Sequence, residues 1–204
     1  DNNPVNEDMN QAGELVDVAF GINIVVNTKS KHSKLFCGDF HDAWIKSCKY
    51  VDDCYGVPIE KEADIVIASC GGYPKDINLY QSTKSIFNAA RAVKKGGTVI
   101  FLAECREGGG APDFFSWIEP LKRGVLDEEL RANFTIGGYI FYALCEAIAK
   151  SKMLMLSEID PNFVKDLNIN SYKNIDELLE KVDFEGKDVC VLPYGGSVVP
   201  LLQD

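Results

Sequence analysis

From residue 63 onward, the sequence alternates short apolar segments with longer amphipathic ones. The apolar segments cover residues 63–70, 98–103, 153–156 and 189–192. Segments with helical character lie between them, at residues 78–94, 114–121, 137–150 and 174–182. Short strands that are apolar throughout are buried on both faces, and parallel neighbours need long crossover connections, which are usually helices. The pattern therefore predicts an α/β fold in which a mainly parallel sheet carries helices on both faces.

The first 60 residues predict a different local arrangement. Residues 4–15 begin with Pro and have acidic side chains in the first turn, which is typical of a helix start. Residues 19–27 and 35–38 predict two strands of a hairpin-like element joined by a lysine-rich turn. Asp39 is the expected N-cap of a helix that runs to about Tyr50, with the buried positions Ala43, Ile45 and Cys48. No repeat or linker marks a boundary, so residues 1–204 are predicted to form a single α/β domain.

Composition excludes several classes of function. The formal net charge of −10, without a basic stripe, argues against a nucleic-acid partner. Apolar runs such as residues 99–103 are too short to cross a bilayer, so no membrane partner is expected. Seven cysteines without a Cys-x-x-Cys pair, and no secretory signal, favour a reduced cytoplasmic compartment. With only two histidines, no metal site is expected from this chain alone. Because the chain opens on Asp1 and not on Met, we expect it to be a segment of a longer protein.

In an open α/β sheet, ligands bind at the carboxyl ends of the strands. Four segments follow predicted strands and are therefore candidates: residues 70–84, 104–112, 157–161 and 193–197. Three of them contain paired or triple glycines, which permit positive φ angles and close approach of the backbone. The triple glycine at 108–110 lacks both dinucleotide and P-loop patterns, so a structural turn is favoured there. Glu104 and Arg106 could pair with each other as easily as with a ligand.

Among these segments, residues 71–84 have the highest density of polar and aromatic side chains. This segment follows a strand and opens a helix, whose first N–H groups would favour a carboxylate or phosphate. Gln81 and Lys84 lie three residues apart on one helical face and offer an amide beside an ammonium. The alternative without a functional role is that both side chains are simply solvated and that Tyr73 and Pro74 only shape the turn. An apolar stripe on the opposite side of the helix would dock it on the sheet, at Ile86, Ala90 and Val93.

Ordered motifs along nearly the whole chain resemble the C-terminal half of the lactate racemase family. They are Asn3-Pro4-Val5 with Glu7-Asp8-Met9, the run from Gly71 to Asp76, Tyr80-Gln81 with Lys84, Gly96-Gly97-Thr98, Ala103-Glu104-Cys105 with Glu107-Gly108, and Pro193-x-Gly195-Gly196 with Pro200. The resemblance implies the C-terminal domain of a larger two-domain protein whose N-terminal, cofactor-binding domain is absent here. It implies a 2-hydroxyacid racemase or epimerase that works by hydride transfer to a nickel-pincer nucleotide. The lysine and histidines that hold this cofactor and move the hydroxyl proton lie in the missing domain.

The resemblance also assigns roles in this chain. Gln81 and Lys84 match catalytic residues of the family, and the remaining cleft residues are Tyr80, Gly71, Gly72, Tyr73, Lys75 and Asp76. The expected partners are the missing N-terminal domain and a small 2-hydroxyacid. No cofactor is expected to bind this chain tightly, and the isolated chain is expected to be inactive. The sequence Gly137-Gly138-Tyr139-Ile140 stands where the family often has a His-Lys pair. This difference leaves larger or more polar 2-hydroxyacids, as well as lactate, as candidate substrates.

Two other classes of function stay open. One is a non-catalytic module that uses residues 71–84 to bind a nucleotide or a small acid. The other is a nicotinamide-dependent oxidoreductase, which the absence of a Gly-x-Gly-x-x-Gly fingerprint after the first strand disfavours.

Overall fold

The computed structural model of the protein describes residues 3–27 and 31–203. These residues divide into two compact units, residues 1–56 and residues 57–204, and each is described by itself. The grouping of residues 1–204 into a single domain stays a prediction. Part of the predicted lysine-rich turn, residues 28–30, lies outside the described residues.

The first unit contains two helices and a hairpin, close to the predicted arrangement. Helix α1 (Pro4–Glu14) begins at Asn3, whose side chain accepts hydrogen bonds from the next backbone N–H groups. Strands β1 (Gly21–Val26) and β2 (His32–Gly38) pair antiparallel, which confirms the hairpin. Helix α2 (Phe40–Tyr55) is capped by the Asp39 carboxylate as predicted, but it continues beyond Tyr50.

The predicted buried side of α2 is wrong in part. Ala43 is buried, whereas Ile45 and Cys48 are exposed and Ser47 is buried in their place. Ala43 and Ser47 lie one turn apart on one helical face, and Tyr50 continues that face to a ring contact with Phe36 of β2. The side of α2 that is turned inward therefore has small side chains together with the Tyr50 ring, and Ile45 is exposed.

The second unit follows the predicted alternation of strands and helices. Its strands are β3 (Gly56–Ile59), β4 (Ala63–Ser69), β5 (Val93–Leu102), β6 (Lys152–Leu156), β7 (Ile169–Tyr172), β8 (Val189–Leu192) and β9 (Val199–Leu202). Its helices are α3 (Leu79–Ala92), α4 (Pro112–Phe115), α5 (Ile118–Lys122), α6 (Leu126–Ala132), α7 (Ile136–Ala149), α8 (Pro161–Val164) and α9 (Ile175–Leu179). Short 3-10 turns cover Lys165–Leu167 and Gly195–Ser197.

Five strands form one sheet in the order β7-β6-β5-β4-β8, and every pairing in it is parallel. This confirms the predicted sheet. Strands β3 and β9 form a separate pair. Strands β3, β7 and β9 were not predicted, because each has only four residues and is interrupted by a Pro or by polar side chains.

The two faces of the sheet carry unequal cores. The larger core includes Val66 and Phe101 of the sheet together with Ile86 of α3 and Phe141 of α7, all fully buried. The smaller core, on the other face, joins Ile65, Ile100 and Leu154 to Leu178 of α9. In the predicted stripe, Ile86 is buried and Ala90 is half-buried on α3. Val93 is also buried, but it is the first residue of β5, so its place on the helix was predicted wrongly. Helix α3 is thus anchored to the sheet by its apolar side, which fixes where its first turn lies.

Candidate active-site cleft

A cavity of about 450 Å³ lies at the carboxyl ends of β4, β5, β6 and β7. This is the edge at which a parallel sheet binds its ligands. Its polar lining comes from residues that follow the strands: Asp76, Glu104, Ser157, Glu158 and Lys173. Of the residues predicted for the cleft, Gly72 and Asp76 line this cavity. Gln81 and Lys84 are not among its lining residues and lie on the first turns of α3.

Asp76 joins the loops that follow β4 and β5. Its side chain is buried, and Oδ2 accepts a hydrogen bond from the backbone N–H of Glu104 at 3.2 Å. Its backbone oxygen accepts from Cys105 N–H at 2.8 Å, and Ile77 O accepts from Glu107 N–H at 2.9 Å. Oδ1 is buried and has no hydrogen-bond partner among the described residues. Asp76 is therefore a loop-positioning residue that also leaves one acceptor unused beside the cavity.

The start of α3 is not the anion site that the sequence predicted. Leu79 N–H and Tyr80 N–H donate to the carbonyl oxygens of Gly108 and Gly109, at 2.9 and 3.2 Å. The Asn78 side chain accepts from Gln81 N–H at 2.9 Å. The first N–H groups of the helix are satisfied by the loop after β5 and by the cap, so they are not free to hold an anion.

Gln81 and Lys84 do share one face of α3, as predicted. Lys84 is exposed, and its Nζ donates to Oε1 of the half-buried Gln81 at 3.3 Å. Within residues 3–27 and 31–203, no carboxylate lies within ion-pair distance of Lys84. Lys75 similarly donates to a neutral group, the Ser197 hydroxyl, at 3.0 Å.

Two other cations at this edge lie within ion-pair distance of a carboxylate. Arg106 pairs with Glu104 at 2.8 Å, as the sequence allowed, and its guanidinium lies 5.0 Å from the centre of the exposed Tyr73 ring. The hydrogen bond to Glu104 raises the pKa of Arg106. Lys173 lies 3.6 Å from Glu158. Among the described residues at this edge, Lys75 and Lys84 are thus the cations without a carboxylate within ion-pair distance.

The remaining predicted cleft residues have structural contacts. Tyr80 is half-buried, and its ring meets that of Phe114 edge-on, with centroids 5.3 Å apart. Gly71 and Gly72 have φ angles of +83° and +82°. A Cβ atom at Gly71 would lie 2.9 Å from the ring of Tyr194, so a larger residue would collide there.

Sequence analysis missed part of the cavity lining. Lys173 and Ile175 follow β7, a strand that was not predicted. Ser157 and Glu158 lie in a segment that was proposed only for its position. The Ser157 hydroxyl and the Glu158 N–H both donate to the Glu104 carbonyl, each at 2.9 Å, which joins this loop to the one after β5. A polar pair directly after an apolar strand was the available signal.

The described residues contain neither a cluster of metal-ligating side chains nor a helix that could span a membrane. In that part of the chain, no three His, Cys, Asp or Glu side chains are grouped so that they could hold a metal ion. None of the described helices combines the length and apolar character needed to cross a membrane.

A parallel α/β sheet with a polar cavity at the carboxyl ends of its strands belongs to the class of ligand-binding and catalytic α/β domains. Comparison with known proteins narrows this class. Residues 59–200 match the family described as the lactate racemase C-terminal domain. The chain belongs to this family, as the ordered motifs in its sequence indicated.

Two curated relatives match almost the whole chain. The lactate racemase of Thermoanaerobacterium thermosaccharolyticum is 32% identical over 208 residues, which cover 98% of this chain and 49% of the relative. That of Lactiplantibacillus plantarum is 28% identical over 206 residues, covering 97% of this chain and 48% of the relative. The chain therefore spans about half the length of these relatives.

Solved structures agree with the fold. The lactate racemase apoprotein from Thermoanaerobacterium thermosaccharolyticum superposes with a TM-score of 0.87 at 32% identity, over 98% of this chain and 50% of that one. A crystal structure of a Thermotoga maritima protein gives a TM-score of 0.68 at 14% identity, over 99% of this chain and 54% of that one. The second likeness concerns the fold alone.

Proposed function

We propose that this chain is the C-terminal part of a 2-hydroxyacid racemase or epimerase. In the full-length protein, the carboxyl edge of its sheet and the first turns of α3 would form the second wall of the active-site cleft. Family membership supports the activity, and one observation supports the site. That observation is the Lys84 ammonium, which is held 3.3 Å from a neutral amide oxygen and has no carboxylate to neutralise it among the described residues.

The charge of the proposed substrate explains why an unpaired ammonium matters here. A 2-hydroxyacid is an anion at pH 7, and the chain as a whole has a net charge of −10. Arg106 and Lys173 each lie beside a carboxylate, which compensates part of their charge. The Lys84 ammonium can stabilise the negative charge of the substrate carboxylate or of the oxygen of the keto acid formed from it. Gln81 adds a directional hydrogen bond from its amide nitrogen.

The cofactor belongs to the other half of the protein in this proposal. The Lys84 ammonium, the Gln81 amide and the Ser157 hydroxyl at this edge suit an anionic substrate. The cavity is also lined by carboxylates, of which Glu104 and Glu158 lie beside cations. When bound, a nickel-pincer nucleotide would supply the acceptor and donor of the C2 hydride. The residues of this chain would hold the substrate, orient its carboxylate and keep the keto acid in place until C2 is reduced again. By itself, the chain is proposed to bind no cofactor tightly and to be inactive.

The test uses the full-length protein loaded with cofactor. Racemisation is followed by chiral chromatography on a panel that runs from lactate to larger and more polar 2-hydroxyacids. Lys84→Ala should lower kcat about 100-fold or more, as the loss of one charge-stabilising donor does in other enzymes. Gln81→Ala should cost about 3-fold to 10-fold, the value of a neutral hydrogen bond.

Lys95→Ala is the matched control. Lys95 is also exposed, but it lies near the amino end of the parallel pairing of β5, away from the cleft edge. The proposal fails if no acid of the panel is racemised, or if Lys84→Ala and Lys95→Ala have the same rate.

The second candidate function is a non-catalytic binding module. The cavity of about 450 Å³ favours it, because this volume is within the range of small-molecule sites. Calorimetry of the 204-residue chain with nucleotides and with 2-hydroxyacids tests it. If no heat of binding were detected at millimolar ligand, the binding-module function would be refuted.

We also place the full-length protein in the cytoplasm. All seven cysteines are free thiols in the structure, in keeping with a reducing compartment. Mapping of disulfides in protein purified without reductant tests this assignment.

A further inference from the structure

The first unit has very little core of its own. Among its described residues, the buried ones are Val25, Ala43 and Ser47. Small domains depend on burying a large share of their apolar surface, and a two-stranded hairpin is at best marginally stable in water. A unit of about 56 residues with three buried positions therefore needs a further surface to pack against.

The hairpin shows where that surface lies. One of its sides, here called the hairpin face, consists of Ile22, Ile24, Val26, Leu35 and Cys37. Ile22 pairs with Cys37 and Ile24 with Leu35, so these side chains lie next to each other on one side of the two strands. They are well exposed: Ile22 by 65%, Ile24 by 51% and Leu35 by 57%. A contiguous apolar patch of this kind is typical of an interaction surface.

The opposite side of the hairpin is occupied. It contains the buried Val25, and the ring of Phe36 lies 5.6 Å from that of Tyr50 in α2. Helix α2 therefore covers this side of the hairpin, and the hairpin face needs a partner from elsewhere.

The comparisons indicate which partner. The match to the C-terminal domain family begins at residue 59, just after the boundary between the two units, so the first unit lies outside the matched residues. The curated relatives nevertheless match 98% and 97% of the chain, first unit included, and are about twice as long. The relatives therefore also contain a counterpart of the first unit, ahead of the residues that correspond to the family match.

We propose that the hairpin face packs against the half of the full-length protein that the relatives have and this chain lacks. The first unit then completes the fold of the cofactor-bearing half, and the residues from 57 onward form the C-terminal domain proper. The inference rests on the proposed function in one respect: it takes the full-length protein to be built like these lactate racemases.

Cys37 provides a probe within the face. A maleimide reagent is added to the 204-residue chain and to the full-length protein, and labelling is followed by peptide mass spectrometry. Each rate is normalised to that of the same cysteine in denaturant. Cys37 should react freely in the 204-residue chain and at least about tenfold more slowly in the full-length protein, because labelling then requires local opening. Equal rates would overturn the proposal.

Two variants test the contact directly. Ile24→Lys should change the melting temperature of the 204-residue chain by less than about 2 °C, since the side chain is exposed there. In the full-length protein it should lower the melting temperature further and restore labelling of Cys37. Asn23→Ala, on the opposite side of the same strand, is the control and should leave Cys37 protected. If Ile24→Lys also leaves it protected, the face is not the contact.

The remaining possibility is that a second copy of the chain covers the hairpin face, and labelling of Cys37 at several protein concentrations tests it. Protection of Cys37 that appears in the 204-residue chain as its concentration rises would assign the face to a second copy and would overturn the proposal. None of these measurements uses racemase activity. A full-length protein that protects Cys37 but racemises nothing would refute the proposed function alone, and the reverse result would refute this inference alone.

Discussion

Gly110→Ala tests the contact between the loop after β5 and the start of α3. Gly110 has a φ angle of +95°, and a Cβ atom there would lie 2.9 Å from the side chain of Asn78 and 2.9 Å from Cβ of Tyr80. The left-handed backbone costs an L-residue about 1–2 kcal/mol. Overpacking of a filled site adds about 1–3 kcal/mol. We therefore expect the free energy of unfolding to fall by about 2–5 kcal/mol.

Gly124→Ala is the matched control. Gly124 has a φ angle of +71°, but a Cβ atom there would meet nothing within 4 Å. The free energy of unfolding of Gly124→Ala should therefore fall only by the backbone contribution, about 1–2 kcal/mol. Urea unfolding followed by circular dichroism gives both values, and their difference of about 1–3 kcal/mol isolates the close packing against Asn78 and Tyr80. If the two variants agree within about 0.5 kcal/mol, the loop does not press on the start of α3 and the reasoning is refuted.

Two further predictions concern the core and its thiols. Phe114→Ala should cost about 3–5 kcal/mol in urea unfolding, because the ring is fully buried among Tyr80 and Phe141, whereas Phe134→Ala, 68% exposed, should stay within about 0.5 kcal/mol. Comparable losses for the two variants would contradict this. Burial raises the pKa of Cys105 to about 11, so the folded state holds this proton more tightly than the unfolded state. Stability should then fall as the pH rises from about 9 to about 11, and a Cys105→Ala variant that shows the same fall would refute the assignment.

The sequence predicted the parts of the fold that depend on local pattern. Strands β4 and β5 are apolar enough to be identified without any tertiary information, and Gly96-Gly97 marked the turn ahead of the apolar run in β5. Strand β7 could not be found in this way, because its four residues include two polar ones and its stability comes from pairing with β6. Lys173 was missed as a consequence.

The candidate site was predictable in its residues more than in its chemistry. Spacing placed Gln81 and Lys84 on one helical face, and the structure confirms that geometry. The anion site expected at the first turn of α3 was wrong, because carbonyl groups about 30 positions further along the chain, Gly108 and Gly109, satisfy its N–H groups. Periodicity contains no information about such a contact. The neutralisation of Arg106 by Glu104 was foreseeable only as one of two alternatives.

The apolar side that anchors α3 is separate from the side on which Lys84 is exposed, so stability and activity can be tested independently. Lys84 is exposed and its hydrogen bond is to a neutral amide, and Ala has a slightly higher helix propensity than Lys, so Lys84→Ala should change the free energy of unfolding by no more than about 0.5 kcal/mol. Gly110→Ala should instead lower stability and activity together, because it displaces the turn that holds Tyr80 and, next to it, Gln81. Both variants are assayed in the full-length protein at a temperature well below either melting transition. A Lys84→Ala protein as unstable as Gly110→Ala would show that Lys84 supports the fold, and its loss of activity would then say nothing about substrate binding.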